Sequence, residues 1–104
     1  MVNRFRVEEA DAEGFALRAR AALDALAQRP GHRSGHLGRN VDEPALWLLS
    51  TTWADVGSYR RALSAYDVKV TAVPLLSQAV DEPSAYEEVR PGLPTNEQQP
   101  RRLG

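Results

Sequence analysis

Ala45-Leu46-Trp47-Leu48-Leu49-Ser50-Thr51-Thr52-Trp53 is rich in β-branched and aromatic residues and reads as a strand. Side chains alternate along a strand, so Leu46, Leu48, Ser50 and Thr52 point one way and Trp47, Leu49, Thr51 and Trp53 the other. Large apolar groups therefore occupy both faces. In an isolated two-layer domain the second face of the sheet is polar. Leu or Trp exposed there makes an apolar patch of the kind that marks an interaction site. The simplest cover is the same face of a second copy, which gives an isologous homodimer through the open sheet face. A charge at Leu48, or at Trp47 if the faces are reversed, is expected to split that pair or prevent folding.

Outward from this strand the chain alternates between turns and periodic segments. Asp42-Glu43-Pro44 is turn chemistry, and it joins the strand to His32–Val41 as a hairpin. Gly35 and Gly38 mark irregular places in that preceding strand. Arg29-Pro30-Gly31 is a stop for the helix before it. Between Asp11 and about Gln28, Phe15, Ala19, Ala22 and Leu26 recur at helical spacing, with Asp11 as N-cap and Glu13 in the first turn. Val2–Val7 alternates with Asn3, Phe5 and Val7 on one face, which predicts a first strand. On the other side, Asp55 caps a second helix whose stripe is Val56, Tyr59, Leu63 and Tyr66. Pro74 ends or kinks that helix, and Leu75–Val80 reads as a last short strand.

The order strand, helix, strand, strand, helix, strand is the ferredoxin-like plan. The expected class is α+β, βαββαβ, with a four-stranded antiparallel sheet and two helices on one face. Residues 1–90 are expected to form this domain. Residues 91–104 hold Pro, Gln and Arg with little to bury, and read as a disordered or extended tail.

A chain of 104 residues is one domain in size and buries roughly 60–70% of its unfolded surface on folding. The 13 Lys and Arg against 14 Asp and Glu leave a net charge of −1. No basic stripe appears, so nucleic acid is not an expected partner. The absence of Cys removes thiolate nucleophiles, iron–sulfur clusters and Cys-ligated zinc together. Met1–Val7 lacks the apolar core of a signal peptide, and no stretch approaches the ~20 apolar residues of a membrane span. The expected location is the cytoplasm, away from the membrane.

The Arg29-Pro30-Gly31 turn, the Leu37-Gly38-Arg39-Asn40 run and the Asp42-Glu43-Pro44 turn come in a telling order. Trp53 then closes the third strand and is followed by an acidic cap and Tyr59. With these features Val2–Val80 resembles the antibiotic-biosynthesis-monooxygenase-like domains of the dimeric α/β-barrel superfamily. That resemblance implies a small cofactor-independent monooxygenase acting on an aromatic, polyketide-type substrate. Such an enzyme needs no metal, flavin or haem, because its deprotonated substrate itself reduces oxygen. The protein encloses an acidic phenol or anthrone in an apolar cavity, orients it and stabilises the anion. The residues it implicates here are Asn3, Trp53 and His36 as catalytic groups, with Phe5, Arg39, Tyr59 and Tyr66 against the substrate. His36 is the general base in this reading. The alternative is a non-catalytic dimer that binds a small apolar molecule or supports another protein.

The haem-degrading branch of the same superfamily uses an Asn on the first strand, a Trp ending the third and an axial His on the second helix. Asn3 and Trp53 match, but no His follows position 36. A metal is not expected either. On one face of a regular strand His32 and His36 stand roughly 13 Å apart, beyond the reach of two Zn–N bonds of ~2 Å. Exposed or interface positions are the simpler reading of both histidines. Neither a phosphate-binding glycine pattern nor a nucleophile elbow is present.

Overall fold

The computed structural model describes residues 1–92. Three strands, β1 (Val2–Arg6), β2 (His32–Arg39) and β3 (Leu46–Trp53), form an antiparallel sheet in the order β1-β3-β2. A long helix, α1 (Ala12–Ala27), and three short ones, α2 (Val56–Leu63), α3 (Tyr66–Thr71) and α4 (Val73–Leu76), accompany it. The central strand pairs Asn3 with Leu49 on one edge and Leu37 with Leu49 on the other. Leu49 therefore sits in mid-sheet, fully buried.

Alternation along β3 sorts the two faces. Leu49 and Thr51 are buried, and Trp47 and Trp53 are half-buried against the helical layer. Leu48, at 38% exposure, lies on the other side. The inner face of β1 adds Met1, Asn3 and Phe5. Facing it, α1 presents Phe15, Ala19, Ala22, Leu23 and Leu26, all buried. The two alanines let the helix backbone approach the sheet, and Phe15 fills the end of the layer. Its ring lies 5.0 Å from Phe5 and 5.4 Å from Trp47 in tilted and edge-on arrangements, pairs worth about 0.5–1.5 kcal/mol each beyond their burial.

The turns form as their residues dictate. Asn40 Oδ1 accepts from the backbone N–H of Asp42 (2.9 Å) and Glu43 (2.8 Å), closing the hairpin. The Asp55 carboxylate accepts from Ser58 N at 2.7 Å and caps α2. Asp11 occupies the N-cap of α1 but makes no side-chain capping bond. After α1, Gly31 takes φ +89°, the left-handed region that lets the chain reverse into β2.

Two expected elements come out differently. The second helix breaks at Ser64 and Ala65, where Ala65 is extended, and it restarts at Tyr66. The break shifts the helical phase, so Val68 faces the core and Tyr66 is 83% exposed. The expected strand Leu75–Val80 is not a strand either. Pro74 sits in the first turn of α4, where its missing N–H costs nothing, and Leu75 is buried from a helical turn.

The fourth place in the sheet is held by irregular chain. Val80 N donates to Arg4 O (2.8 Å) and Val2 N donates to Ser84 O (2.7 Å) along the free edge of β1. Glu82 grips Arg4 in a two-point ion pair, with Nε–Oε2 at 2.8 Å and Nη2–Oε1 at 2.6 Å. Pro83 has no N–H to continue a ladder. Among the described residues the architecture is thus a three-stranded α+β sheet with an edge strap, compatible with the ferredoxin-like plan. The expected tail at 91–104 lies, from residue 93, outside the described residues.

The Gly31 turn gives a direct test. A Cβ at Gly31 meets Ser58 Cβ and Oγ at 2.4 Å, and the positive φ strains any L-residue. Gly31→Ala is expected to destabilise the domain by about 2–4 kcal/mol in chemical denaturation. Adding Ser58→Gly relieves the clash but not the φ strain, so the double variant recovers only part of the loss.

Candidate functional site

The inner face of the sheet gathers polar groups among aromatic rings at the end where β2 begins and β3 finishes. Trp53 donates from Nε1 to Thr51 Oγ1 at 2.7 Å, two residues back on the same face. Its ring meets His32 edge-on at 5.1 Å and Tyr59 at 6.1 Å. The capped N-terminus of α2 brings Tyr59 there. Farther along the sheet, Asn3 faces the same layer from β1, buried at 9% exposure. Its Oδ1 has no hydrogen-bond partner. His32 Nε2 is likewise buried without a partner. Trp47 Nε1 on the same face and Arg29 Nε are unpartnered too, and because buried polar atoms are almost always paired, this grouping is unusual.

His32 reaches this face through a bulge. It pairs with Trp53, and Ser34 pairs with Thr52, so two steps on β2 match one on β3. Arg33 is the extra residue, and inserting it reverses the alternation. His32 therefore points inward with Trp53, whereas His36, opposite Ser50, is exposed on the open face. The regular-strand geometry that set both histidines on one face does not hold. Burial pushes the His32 imidazole below its ordinary pKa of 6.5.

The remaining expected site residues scatter. Phe5 is buried beside Phe15 in the core. Arg39 is exposed and lays its guanidinium over the Trp47 ring at 5.4 Å. Tyr66 stands on the surface. Asn3, Trp53 and Tyr59 thus share the inner face, Arg39 stands opposite Trp47 at the exposed end of that face, and His36 and Tyr66 lie outside it. Thr51, unremarked in the sequence, belongs with the inner group, and so does His32, which was expected at an exposed or interface position but has its Nε2 buried beside Trp53. The glycines flanking His32, Gly31 and Gly35, are the only local hint of irregular backbone.

Two surface grooves are also present. One of about 330 Å³ runs along Arg4, Gly38, Asn40, Leu46 and Leu48 on the open face of the sheet. The other, about 240 Å³, lies between α1 and the α3–α4 segment at Arg18, Ala21, Val70 and Leu75. Neither touches Asn3, His32, Trp53 or Tyr59. Among the described residues no three His, Asp or Glu side chains gather as a metal-ligand set, and no helix is long and apolar enough to cross a membrane.

The profile of the family described as Antibiotic biosynthesis monooxygenase matches residues 1–72. The chain belongs to that family. The matched span holds the whole inner group, from Asn3 to Tyr59, and leaves the strap at 80–84 outside. Among solved structures the domain resembles SnoaB from Streptomyces nogalater, described as a cofactor-independent oxygenase. The two share 29% identity over 76% of this chain and 80% of that one, with a TM-score of 0.64. A conserved protein from Methanosarcina mazei Go1 has the same fold at 18% identity, covering 81% of this chain and 82% of that one, with a TM-score of 0.65. No curated protein matches the chain.

The buried imidazole predicts how stability responds to pH. A depressed folded-state pKa means that the unfolded chain binds the proton more tightly. His32 therefore supports the fold fully above about pH 6.5, and that support is lost as pH falls through the lower folded value. Thermal melts between pH 7.5 and 5 are expected to show a falling Tm, with a shallower slope in His32→Gln. Asp55 and Glu82 do not confuse this window. Hydrogen bonds from Ser58 and Arg4 hold their carboxyls below the ordinary values of 3.8 and 4.5.

Proposed function

We propose that this domain is a cofactor-independent monooxygenase whose substrate is a flat, acidic aromatic of the phenol or anthrone type. The observation that carries the reading is the orphaned Asn3 Oδ1, buried on the inner face with Trp53, Thr51 and Tyr59 in the same layer. A buried amide without a partner costs roughly 1–3 kcal/mol, which a bound ligand with a hydroxyl recovers. Rings on the same face supply stacking area for a polycycle. Family membership and the 29% identity to an oxygenase support the same reaction class.

The chemistry balances without a cofactor. An activated methylene loses a proton, and the resulting carbanion reduces O2 and combines with it to form a peroxide. Loss of water then leaves a carbonyl: one oxygen atom enters the product, the other leaves as water, and all four electrons come from the substrate. The protein's part is to hold the aromatic away from bulk water and to hydrogen-bond the anion as it forms. Asn3 serves that role, with Trp53 and Tyr59 as walls and Phe5 behind them. His36 and Tyr66 then touch substrate only if another copy of the chain brings them to it, and Arg39, over Trp47, stands at the exposed end of the inner face.

The active unit in this proposal is a homodimer formed through the open sheet face, with residues 1–90 as the domain. Leu48 is exposed there, Leu46 and Val2 are partly so, and the groove beside Arg4 runs along the same face. A non-catalytic dimer that binds a small apolar molecule is the second reading. The packing of Phe5, Phe15 and Trp47, which fills one end of the interior, favours it.

Oxygen uptake with anthrone as probe, in chelator-treated buffer, separates the two. One O2 consumed per anthraquinone formed is the expected result, and binding without uptake selects the second reading. Asn3→Ala is expected to lower turnover by about 10²-fold while leaving thermal stability unchanged or higher, because the atom removed has no partner in the free protein. Leu48→Glu is expected to convert dimers to monomers in sedimentation analysis, whereas a stable Leu48→Glu dimer overturns the interface.

A further inference from the structure

We infer that His32, rather than any other side chain, takes the proton from the substrate in the oxygenase reaction proposed above, on which this assignment rests. The bulge at Arg33 turns the imidazole into the layer between sheet and helices, edge-on to Trp53 at 5.1 Å. Its Nε2 is buried and bonds to nothing. A neutral imidazole with an unpartnered ring nitrogen in the interior is a base waiting for a proton donor.

The surroundings of Nε2 fit that role. Gly35 lies opposite Thr51 on the inner face, and a Cβ placed on it stands 3.5 Å from Nε2. With no side chain on Gly35, the space beside the nitrogen is taken by groups from other elements. Leu23 of α1 fills it, its Cδ2 3.0 Å from that same Cβ position. A substrate reaching Nε2 has to displace the buried Leu23 side chain beside Thr51, both uncharged. The elements around the ring carry little that titrates. The α1 helix presents Leu23, β3 presents Thr51 and Trp53, and α2 contributes Tyr59 across the Trp53 ring. The charged neighbours along the chain are Arg29, whose carbonyl accepts from His32 N at 3.2 Å, and the exposed Arg33. Among the described residues no carboxylate is bonded to the imidazole, and burial pushes it below the ordinary pKa.

In the proposed step Nε2 accepts the proton of the acidic methylene, and the C–H electron pair stays on the substrate carbon. The carbanion passes its electrons to O2 and bonds to it. The imidazolium then returns the proton to the peroxide anion, and elimination of water across the remaining C–H and the O–O bond completes the carbonyl. The imidazole ends neutral, ready for another turnover.

The test uses the full chain in air-saturated buffer with anthrone. In the wild type, kcat/KM is expected to rise through an acidic limb with a midpoint below pH 6.5. His32→Gln is expected to lose at least about 10²-fold in kcat, to lose that limb, and to keep its circular dichroism spectrum. His32→Ala is expected to regain activity with added imidazole, a rescue that a purely structural role does not allow. Turnover within twofold of wild type in His32→Gln, or a loss that imidazole never restores, overturns the assignment and leaves the oxygenase reading standing. Failure of the wild type to oxidise anthrone overturns the oxygenase reading itself, and the assignment with it. Should both variants misfold, the His32 ring of the wild type is titrated by nuclear magnetic resonance with and without 1,8-dihydroxyanthraquinone. An altered midpoint supports contact with the ligand, and an unchanged one overturns it.

Discussion

Antiparallel pairing of β3 on both of its edges is the constraint from which the rest of the geometry follows. A strand bonded on each side cannot slip by one residue without exchanging its two faces, because the side-chain period is two. Leu49 and Thr51 are therefore committed to the helices and Leu48 to the open side. Once they are committed, the residues of β1 and β2 across from them are sorted as well. Asn3 faces inward because it pairs with Leu49, and Gly35 because it pairs with Thr51. The helical layer completes the arrangement with small residues at the contact. Ala19, Ala22, Ala62 and Ala72 are all buried. Larger side chains at those positions force the helices outward and lose the dense contact on which core stability depends.

The same pairing explains why a single inserted residue matters so much. A bulge on an outer strand leaves the central ladder intact and re-aims only the residues on one side of the insertion. Arg33 does this at the start of β2, where Gly31 has just turned the chain. His32 is sent inward, whereas the strand beyond keeps its regular alternation as far as Arg39. The edge of β1 is handled differently. A free strand edge is a template for unwanted pairing. Here the strap from Val80 to Ser84 covers it with two backbone bonds and the Arg4–Glu82 pair, and Pro83 keeps the strap itself from extending the sheet.

Local patterns made much of this legible in the sequence. The alternation of Val2–Val7, the helical spacing of Phe15 to Leu26, the Asp42-Glu43-Pro44 turn and the Asp55 cap all depend on residues near one another. Each lies within a residue or two of where it was expected. Leu75–Val80 was not legible because a short apolar run serves a strand or a helical turn equally well. Here the run starts in the helical turn Val73–Leu76, and the chain beyond it is tied to β1 by Glu82 meeting Arg4, a contact 78 residues apart in sequence. Tyr66 was misplaced for a related reason. A stripe read through Ser64 and Ala65 assumes an unbroken helix, and the break moves the buried position to Val68. The histidines show the limit most sharply. Regular alternation put His32 and His36 on one face, and no residue in Arg33-Ser34-Gly35 announces a bulge strongly enough to say otherwise.

The electrostatic character of the interior narrows the chemistry it can host. Among the described residues the buried polar side chains are Asn3, Thr51 and Ser58, and no charged side chain is buried. Such a layer offers nothing to offset the desolvation of a phosphate or carboxylate, so anionic metabolites are poor occupants. A neutral aromatic enters at little cost. It becomes costly only when it ionises inside, and then the groups at hand to stabilise it are hydrogen-bond donors and the imidazole proposed as its base. An interior of this kind binds the uncharged ground state loosely and reserves its strongest interactions for the anion, which is the differential that accelerates a proton-abstraction step. The arginines, by contrast, stand at the rim: Arg39 over the edge of Trp47, and Arg4 tied to the strap. Both charges stay at the solvent-facing margin, and the interior is left to uncharged side chains.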